Sequence, residues 1–172
     1  QAVLEGAALV NDISAGTLDA NMFRTVASLK VPYIAMHMRG TPQTMNSLTQ
    51  YDNLVDDVMD YFISKINHLK DSGITDIIID PGFGFAKTID QNFELLSHLD
   101  YFKNLNRPVL AGLSRKSMVW KTLGTTAEHA LSGTIALNMT ALLKGASILR
   151  VHDVKEAVQV INLYTKLRQT SL

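Results

Sequence analysis

The chain has 172 residues, with 16 basic and 16 acidic side chains, so its formal net charge at neutral pH is zero. Zero charge argues against a nucleic-acid partner, which needs a basic face, and the absence of cysteine excludes a disulfide scaffold, a thiolate zinc site and a cysteine nucleophile. The longest apolar runs, such as residues 77–79, fall far short of the ~20 residues of a membrane-spanning helix. Residues 1–12 lack the pattern of a signal peptide. We therefore expect a single-domain cytoplasmic protein with neither a nucleic-acid nor a membrane partner.

Short apolar runs alternate along the chain with longer segments of helical periodicity. Runs that are apolar throughout are typical of parallel strands covered by helices on both faces. Five such strands are predicted, and their ends fall at about Asn11, His37, Asp80, Gly112 and His152. Strands that alternate with helices predict an α/β fold with a parallel sheet.

The helix signals lie between these strands. Apolar residues from Val55 to Leu69 recur at helical spacing and predict one amphipathic helix, which Gly73 is placed to end. The pairs Thr125–Glu128 and Asp153–Glu156 have the spacing of a capping box, which predicts that two further helices begin there.

Polar residues at the strand ends favour a (β/α)8 barrel over an open doubly wound sheet. Almost every predicted strand ends on a polar or charged residue, as do those ending at Asn11 and Asp80. In a barrel the loops after all the strands build the site, whereas an open sheet concentrates the site at one switch point. A barrel has eight strands and ~250 residues. We therefore predict one domain over residues 1–172 that carries the last five strand–helix units of a TIM barrel and lacks the first three strands.

The stretch from Asp80 to Phe85, Asp-Pro-Gly-Phe-Gly-Phe, follows the third predicted strand. A carboxylate at a buried strand end can accept two hydrogen bonds at once, which suits a flat heterocycle with an amidine-like pair of N–H groups. Alternatively, Asp80 caps its own turn and the two phenylalanines belong to the core. The spacing alone leaves both interpretations open.

Arg150 and His152 flank Val151 on the last predicted strand, so both should face the same side. Asp153 then opens a helix, and the N-terminus of a helix attracts anions. Together these features predict a phosphate or diphosphate pocket. The alternative is an exposed Arg–Asp pair, which is worth at most ~1 kcal/mol.

Two further segments carry weaker signals. Residues 114–117, Ser-Arg-Lys-Ser, lie at a strand-to-helix turn and can contact an anion or a carbonyl oxygen, or simply begin a helix. Met36 and Met38 flank His37 and supply either an adaptable pocket wall or part of the core. The remaining histidines, His68, His98 and His129, have no partner at metal-ligand spacing, so we assign them no chemistry.

Taken in series, five motifs resemble dihydropteroate synthase, the enzyme of folate biosynthesis that sulfonamides inhibit. They are Asn11–Ser14, Met36–Met38, Asp80–Phe85, Ser114–Ser117 and Arg150–Val154. The resemblance implies a TIM-barrel transferase that condenses 6-hydroxymethyl-7,8-dihydropterin diphosphate with 4-aminobenzoate and releases diphosphate. Sulfonamides would compete with the 4-aminobenzoate. The family is usually homodimeric.

The same resemblance assigns roles to residues. It implies pterin binding by Asn11, Asp80, Lys116, Met36 and Gly112, diphosphate binding by Arg150 and His152, and an aminobenzoate pocket bordered by Phe85, Lys116 and Ser117. It also implies Mg²⁺, whose family ligand belongs to the strand units absent here, so no metal ligand is expected in this chain. Ala86 stands where the family usually has a third glycine of the Gly-Phe-Gly-Phe-Gly run.

Two other functions compete with this one. A corrinoid-linked pterin methyltransferase uses the same barrel with a similar Asn and Asp, but it needs no diphosphate pocket. A truncated, non-catalytic fragment that binds pterin would retain the motifs without the reaction.

Overall fold

The computed structural model describes residues 1–170, in which five short strands alternate with helices. The strands are β1 (Val10–Asp12), β2 (Tyr33–Met36), β3 (Ile77–Asp80), β4 (Leu110–Ala111) and β5 (Ile148–Leu149). The α-helices are α1 (Met22–Leu29), α2 (Leu54–Asp71), α3 (Ile89–Ser97), α4 (Ser117–Thr122), α5 (Leu131–Leu143) and α6 (Val154–Gln169). Two 3₁₀ segments cover Met45–Ser47 and Leu99–Leu105. No helix within residues 1–170 has the length and apolarity needed to cross a membrane.

All strand pairs are parallel and the spatial order follows the chain. β1, β2 and β3 form one group, and β4 and β5 form another. A parallel bridge between Ile79 and Val109 joins the two groups, and the Ile79 amide donates to the Pro108 carbonyl at 3.0 Å. The predicted parallel α/β class is therefore confirmed. The order shows no reversal among the described strands, whereas a doubly wound sheet has one at its switch point.

The two faces of the sheet carry different sets of side chains. On one face Tyr33, Ala35 and Ile79 pack with the helices in the main core. On the other face Ile34, Ile78 and Leu110 form a small separate cluster, and Ile148 packs against it. We call this second face the inner face. Since alternate residues of a strand share a face, the inner face continues through Met36 on β2 and Asp80 on β3.

Helix α2 follows the predicted apolar stripe closely. The buried residues include all six of the stripe: Val55, Val58, Met59, Phe62, Ile66 and Leu69. Asn53 caps the helix by accepting the Asp56 amide, and the turn after the helix uses Gly73 at φ +88°. Full burial of one large apolar side chain stabilises the fold by roughly 1.5–3 kcal/mol, so this stripe holds α2 firmly on the sheet.

The structure corrects three local predictions. β5 ends at Leu149, so Arg150 and His152 lie in the loop beyond it, although the Arg150 amide still donates to the Ala111 carbonyl at 3.0 Å. The side chain of Asp153 makes no capping bond to α6, because both its oxygens accept from an arginine. The box predicted from Thr125 starts no helix, since α5 begins at Leu131.

Candidate functional site

Polar side chains of the inner face meet at the carboxyl ends of the strands. Met36 and Asp80 are register partners, and one step beyond the Ala111–Leu149 pair come Gly112 and Arg150. Asn11 pairs with Ile34 and therefore lies on the same face, one layer below Met36. Met36 is 1% exposed and, as the last residue of β2, it forms a floor beside Asp80. The structure thus brings the predicted pterin-binding residues of four strands to one end of the sheet.

Asp80 is a buried carboxylate that faces cations. Its Oδ1 accepts the Gly82 amide at 2.8 Å, which is the turn-capping bond of the alternative interpretation. Burial raises the pKa of Asp80, while the Gly82 amide and the charges of Lys116, Arg150 and Lys87 oppose that rise. The turn-capping interpretation is therefore confirmed, and the same bond fixes the carboxylate at the strand end, in a field of positive charge.

Lys116 precedes α4 and reaches back across the site to the loop after β3. Its Nζ donates to the Phe83 carbonyl and lies 5.1 Å from the centre of the Phe85 ring. Burial lowers the pKa of Lys116 to about 8, although Asp80 opposes this shift and Arg150 adds to it. Ser117 is the first residue of α4 and is half-buried beside Lys116. Of the three residues predicted to border an aminobenzoate, the structure therefore brings Lys116 next to both Phe85 and Ser117.

Gly112 makes room for Arg150. A Cβ built on Gly112 would lie 2.9 Å from one terminal nitrogen of the Arg150 guanidinium and 3.3 Å from its Nε. The 2.9 Å approach is shorter than real Cβ contacts, so with a side chain at position 112 the guanidinium, which ends a flexible side chain, would have to shift. Gly112 therefore acts by shaping the path of Arg150, a role that no sequence signal indicated.

His152 is held by a serine from the neighbouring loop. Its Nδ1 lies 3.0 Å from the Ser114 hydroxyl oxygen, and its backbone amide donates to the same oxygen at 3.2 Å. Ser114 is 4% exposed. Both residues of the predicted anion pair therefore lie against the segment after β4, with Arg150 over Gly112 and His152 bonded to Ser114.

Arg115 lies outside the anion pocket, although its charge suggested otherwise. It binds both oxygens of Asp153, at 2.7 and 2.9 Å, and donates to the carbonyls of Ala127 and Glu128. The hydrogen bond and charge of Asp153 raise the pKa of Arg115. The Arg–Asp pair considered for Arg150 thus exists with a different arginine, and it ties three loops together.

Lys87 is a buried cation that the sequence reasoning missed. Its Nζ lies 3.0 Å from His37 Nδ1 and donates to the carbonyls of Gly82 and Phe85 at 3.1 and 3.0 Å. Burial lowers the pKa of Lys87 to about 7, although Asp80 opposes the shift. Burial, together with the charge of Lys87, also lowers the pKa of His37 well below its usual range. A capping box at Thr88–Gln91 immediately follows Lys87 and was the available signal that this segment is ordered.

The loop between β3 and α3 is built around these contacts. Gly82 adopts φ +74°, and a Cβ there would collide with the His37 carbonyl oxygen. Ala86 also lies in the left-handed region, at φ +50°, which accounts for a glycine being usual at that position.

Asp12 is a second missed residue, and it fixes the loop that follows Asn11. Its carboxylate accepts the hydroxyls of Ser14 and Tyr33, both at 2.6 Å, and the amides of Ser14 and Gly16. Burial alone would raise the pKa of Asp12, but these bonds outweigh it and hold the pKa below its usual value. Asn11 itself is exposed at the inner face.

Among residues 1–170, no group of three or more His, Asp or Glu side chains lies close enough to bind a metal ion. The two buried carboxylates at the strand ends already have hydrogen-bond partners within the protein. Asp12 accepts four hydrogen bonds, and Asp80 caps its own turn. The described residues therefore offer no ligand set that fits Mg²⁺.

Comparison with known proteins identifies the family. A model described as "Pterin binding enzyme" matches residues 1–152. The chain belongs to the pterin binding enzyme family. Among curated members, the dihydropteroate synthase of Escherichia coli K12 is 39% identical over 164 residues, which are 92% of this chain and 56% of that protein. The Synechocystis enzyme of the same name is 41% identical over 163 residues, covering 93% and 56%.

Solved structures of pterin binding enzymes have the same fold as this chain. A Yersinia pestis dihydropteroate synthase in complex with a sulfonamide drug superposes with a TM-score of 0.94 at 35% identity, covering 98% of this chain and 62% of that one. A Xanthomonas albilineans dihydropteroate synthase in complex with 7,8-dihydropteroate gives a TM-score of 0.89 at 35% identity, covering 97% and 62%. The chain thus spans less than two thirds of the length of these relatives.

Proposed function

We propose that this chain carries most of the substrate-binding residues of a dihydropteroate synthase. The reaction joins 6-hydroxymethyl-7,8-dihydropterin diphosphate to 4-aminobenzoate and releases diphosphate. The observation that carries the proposal is the buried Asp80 carboxylate in the field of Lys116 and Arg150, at the carboxyl ends of parallel strands. A substrate with N–H donors at one end and a polyanion at the other matches that distribution of charge.

Asp80 and Asn11 would hold the pterin ring. The amino group and ring N–H of a pterin donate to one carboxylate, so they add to the donors that already favour ionised Asp80. As diphosphate leaves, positive charge spreads over the ring. An anion ~4 Å away would stabilise that charge by ~4 kcal/mol at an effective dielectric of 20. Asp80 would thereby lower the barrier as well as bind the substrate.

Arg150 and His152 would receive the leaving group. The bond between the methylene carbon and the diphosphate oxygen breaks, and its electron pair leaves with the diphosphate. The aniline nitrogen of 4-aminobenzoate forms the new bond to that carbon and then loses a proton to water. An arginine fork and an imidazole N–H offset the charge that grows on the departing oxygen.

Phe85, Lys116 and Ser117 would border the aminobenzoate. A flat aromatic acid packs against Phe85, while Lys116 and Ser117 offer a cation and a hydroxyl to its carboxylate. A sulfonamide has a similar aromatic amine and would compete for this pocket. The Yersinia pestis relative in complex with a sulfonamide drug supports sulfonamide binding by a protein of this fold.

The five strand–helix units would be the last five of an eight-stranded TIM barrel. Their chain-order arrangement and the 56–62% coverage of the relatives support this. The homodimer is also a proposal, supported by the apolar side chains that α6 exposes at Val154, Val158 and Leu163. Mg²⁺ has no ligand set among residues 1–170, so no step is assigned to it. A cytoplasmic location stays a prediction.

The test separates the two ends of the substrate. Hydroxymethyl dihydropterin is titrated with and without its diphosphate into wild type and Arg150→Ala. We expect Arg150→Ala to weaken binding of the diphosphate form alone, because a charge-assisted contact requires the anion. Equal loss for both ligands would mean that Arg150 supports the pocket structurally and would contradict the proposal.

The same titrations address the two alternatives. A corrinoid-linked methyltransferase needs no anion pocket, so it predicts equal affinity for the two ligands in the wild type. A non-catalytic fragment predicts the diphosphate preference but no product when 4-aminobenzoate is added. The Arg150–Gly112 fit favours the synthase over the methyltransferase.

A further inference from the structure

Ser114 lies where it can control the orientation of a single side chain, His152. The serine follows β4 and is buried, whereas the histidine follows β5 and is exposed. One oxygen, Ser114 Oγ, contacts both the backbone amide and the ring Nδ1 of His152. Two bonds from one atom fix both the loop and the ring.

The donor and acceptor roles follow from hydroxyl chemistry. Since the oxygen accepts the backbone N–H, its own hydrogen is available to Nδ1. A neutral His152 bonded in this way carries its proton on Nε2, the nitrogen directed away from Ser114. If the ring takes up a second proton, Nδ1–H can donate to the remaining lone pair of the oxygen. The contact therefore persists in both protonation states, and Nε2–H stays a donor in both.

Ser114, His152 and Asp153 superficially resemble a nucleophilic triad, but the geometry excludes that role. Both carboxylate oxygens of Asp153 bind Arg115, so Asp153 does not orient the imidazole. The serine oxygen is buried and accepts the backbone amide of His152. A nucleophile needs an accessible oxygen, whereas this one is placed to hold a ring.

We infer that Ser114 is a positioning residue that aims His152 Nε2–H at the anion site beside Arg150. The inference rests on the proposed function, because the anion would be the diphosphate of the substrate. Because Ser114 is buried, it would act without touching the substrate. Its effect on binding should therefore pass through the imidazole of His152.

A double-mutant cycle with inorganic diphosphate as the probe tests this. Calorimetric titrations are made on wild type, Ser114→Ala, His152→Ala and the double variant of the full chain. We expect Ser114→Ala to weaken diphosphate binding about three- to tenfold, the range of one hydrogen bond. In the His152→Ala background the same change should have little further effect, because the ring it positions is gone.

Three controls accompany the cycle. Ser114→Thr retains a hydroxyl and should restore the affinity, and Ser147→Ala, an exposed serine before β5, should leave it unchanged. If Ser114→Ala melts below the assay temperature, Ser114→Cys, of nearly the same size, replaces it in the cycle. Equal losses from Ser114→Ala with and without His152 would overturn the inference, since the serine would then act through the backbone alone. Wild type that fails to bind diphosphate, or binds it independently of Arg150, would overturn the proposed function as well.

Discussion

Replacing Lys87 with methionine should change how stability depends on pH. Burial brings the pKa of Lys87 in the folded chain to about 7, against an ordinary lysine value of 10.5. Between these two values the unfolded chain binds more protons than the folded one, so the free energy of unfolding rises with pH. The maximum slope for one group is ~1.4 kcal/mol per pH unit. Lys87→Met removes this contribution and leaves the other titrating groups in place.

The integrated effect is large enough to measure. From pH 7 to pH 9, a single group with this shift adds about 2 kcal/mol to the free energy of unfolding. Urea unfolding at pH 7, 8 and 9 gives that free energy for both proteins. We expect the stability of wild type minus that of Lys87→Met to increase by about 2 kcal/mol across the range. Lys144→Met, which removes an exposed lysine, is the control, and its difference from wild type should stay flat.

Methionine also leaves His37 Nδ1 and the carbonyls of Gly82 and Phe85 without their donor. That loss lowers stability at every pH, because buried acceptors are left unpaired. This loss lowers the free energy of unfolding by the same amount at each pH and does not change its dependence on pH. A difference between wild type and Lys87→Met that does not vary from pH 7 to pH 9 would refute the reasoning, since it would mean that Lys87 keeps its ordinary pKa.

Three further results are expected. Asp80→Asn should weaken pterin binding by at least ~1–3 kcal/mol, because a buried donor would then face the N–H groups of the ring; unchanged affinity by calorimetry would exclude Asp80 as the anchor. Gly112→Ala should displace the Arg150 guanidinium, which lies 2.9 Å from the added Cβ, so affinity for the diphosphate form should fall by a larger factor than affinity for hydroxymethyl dihydropterin; equal losses in calorimetric titrations would contradict this. The isolated 172-residue polypeptide should self-associate, since β1 and β5 each pair on one side only within residues 1–170; light scattering from a monodisperse, cooperatively melting monomer would contradict this.

The sequence predicted those parts of the fold that depend on local patterns. The strand over residues 77–79 and the apolar stripe of α2 could be predicted because burial gives each element a characteristic spacing of apolar residues. Asp80 and Arg150 were predicted as site residues because they directly follow apolar runs, and that assignment stays a prediction. The end of β5 was misplaced, because Val151 extends the apolar pattern beyond Arg150, and the Arg150 amide adds one more backbone bond although it already lies in the loop.

Partners distant in sequence could not be predicted. Lys87 meets His37 across 50 positions of the chain, and Ser114 meets His152 across 38. Residue type alone does not distinguish a buried lysine from a solvated one, because the packing of the loops determines whether it is buried. The fit of Arg150 over Gly112 likewise depends on the register of β4 and β5, which periodicity does not specify.

Among residues 1–170, one backbone bridge, between Ile79 and Val109, forms the junction of the two groups of strands, whose side chains share one apolar core. Asp80 lies on one side of this junction, and Lys116 and Arg150 lie on the other. A molecule that contacts both sides would stabilise this junction. Its binding should therefore slow deuterium exchange at the Ile79 amide, which donates across the junction to the Pro108 carbonyl. The effect should be larger there than at the amides of β2.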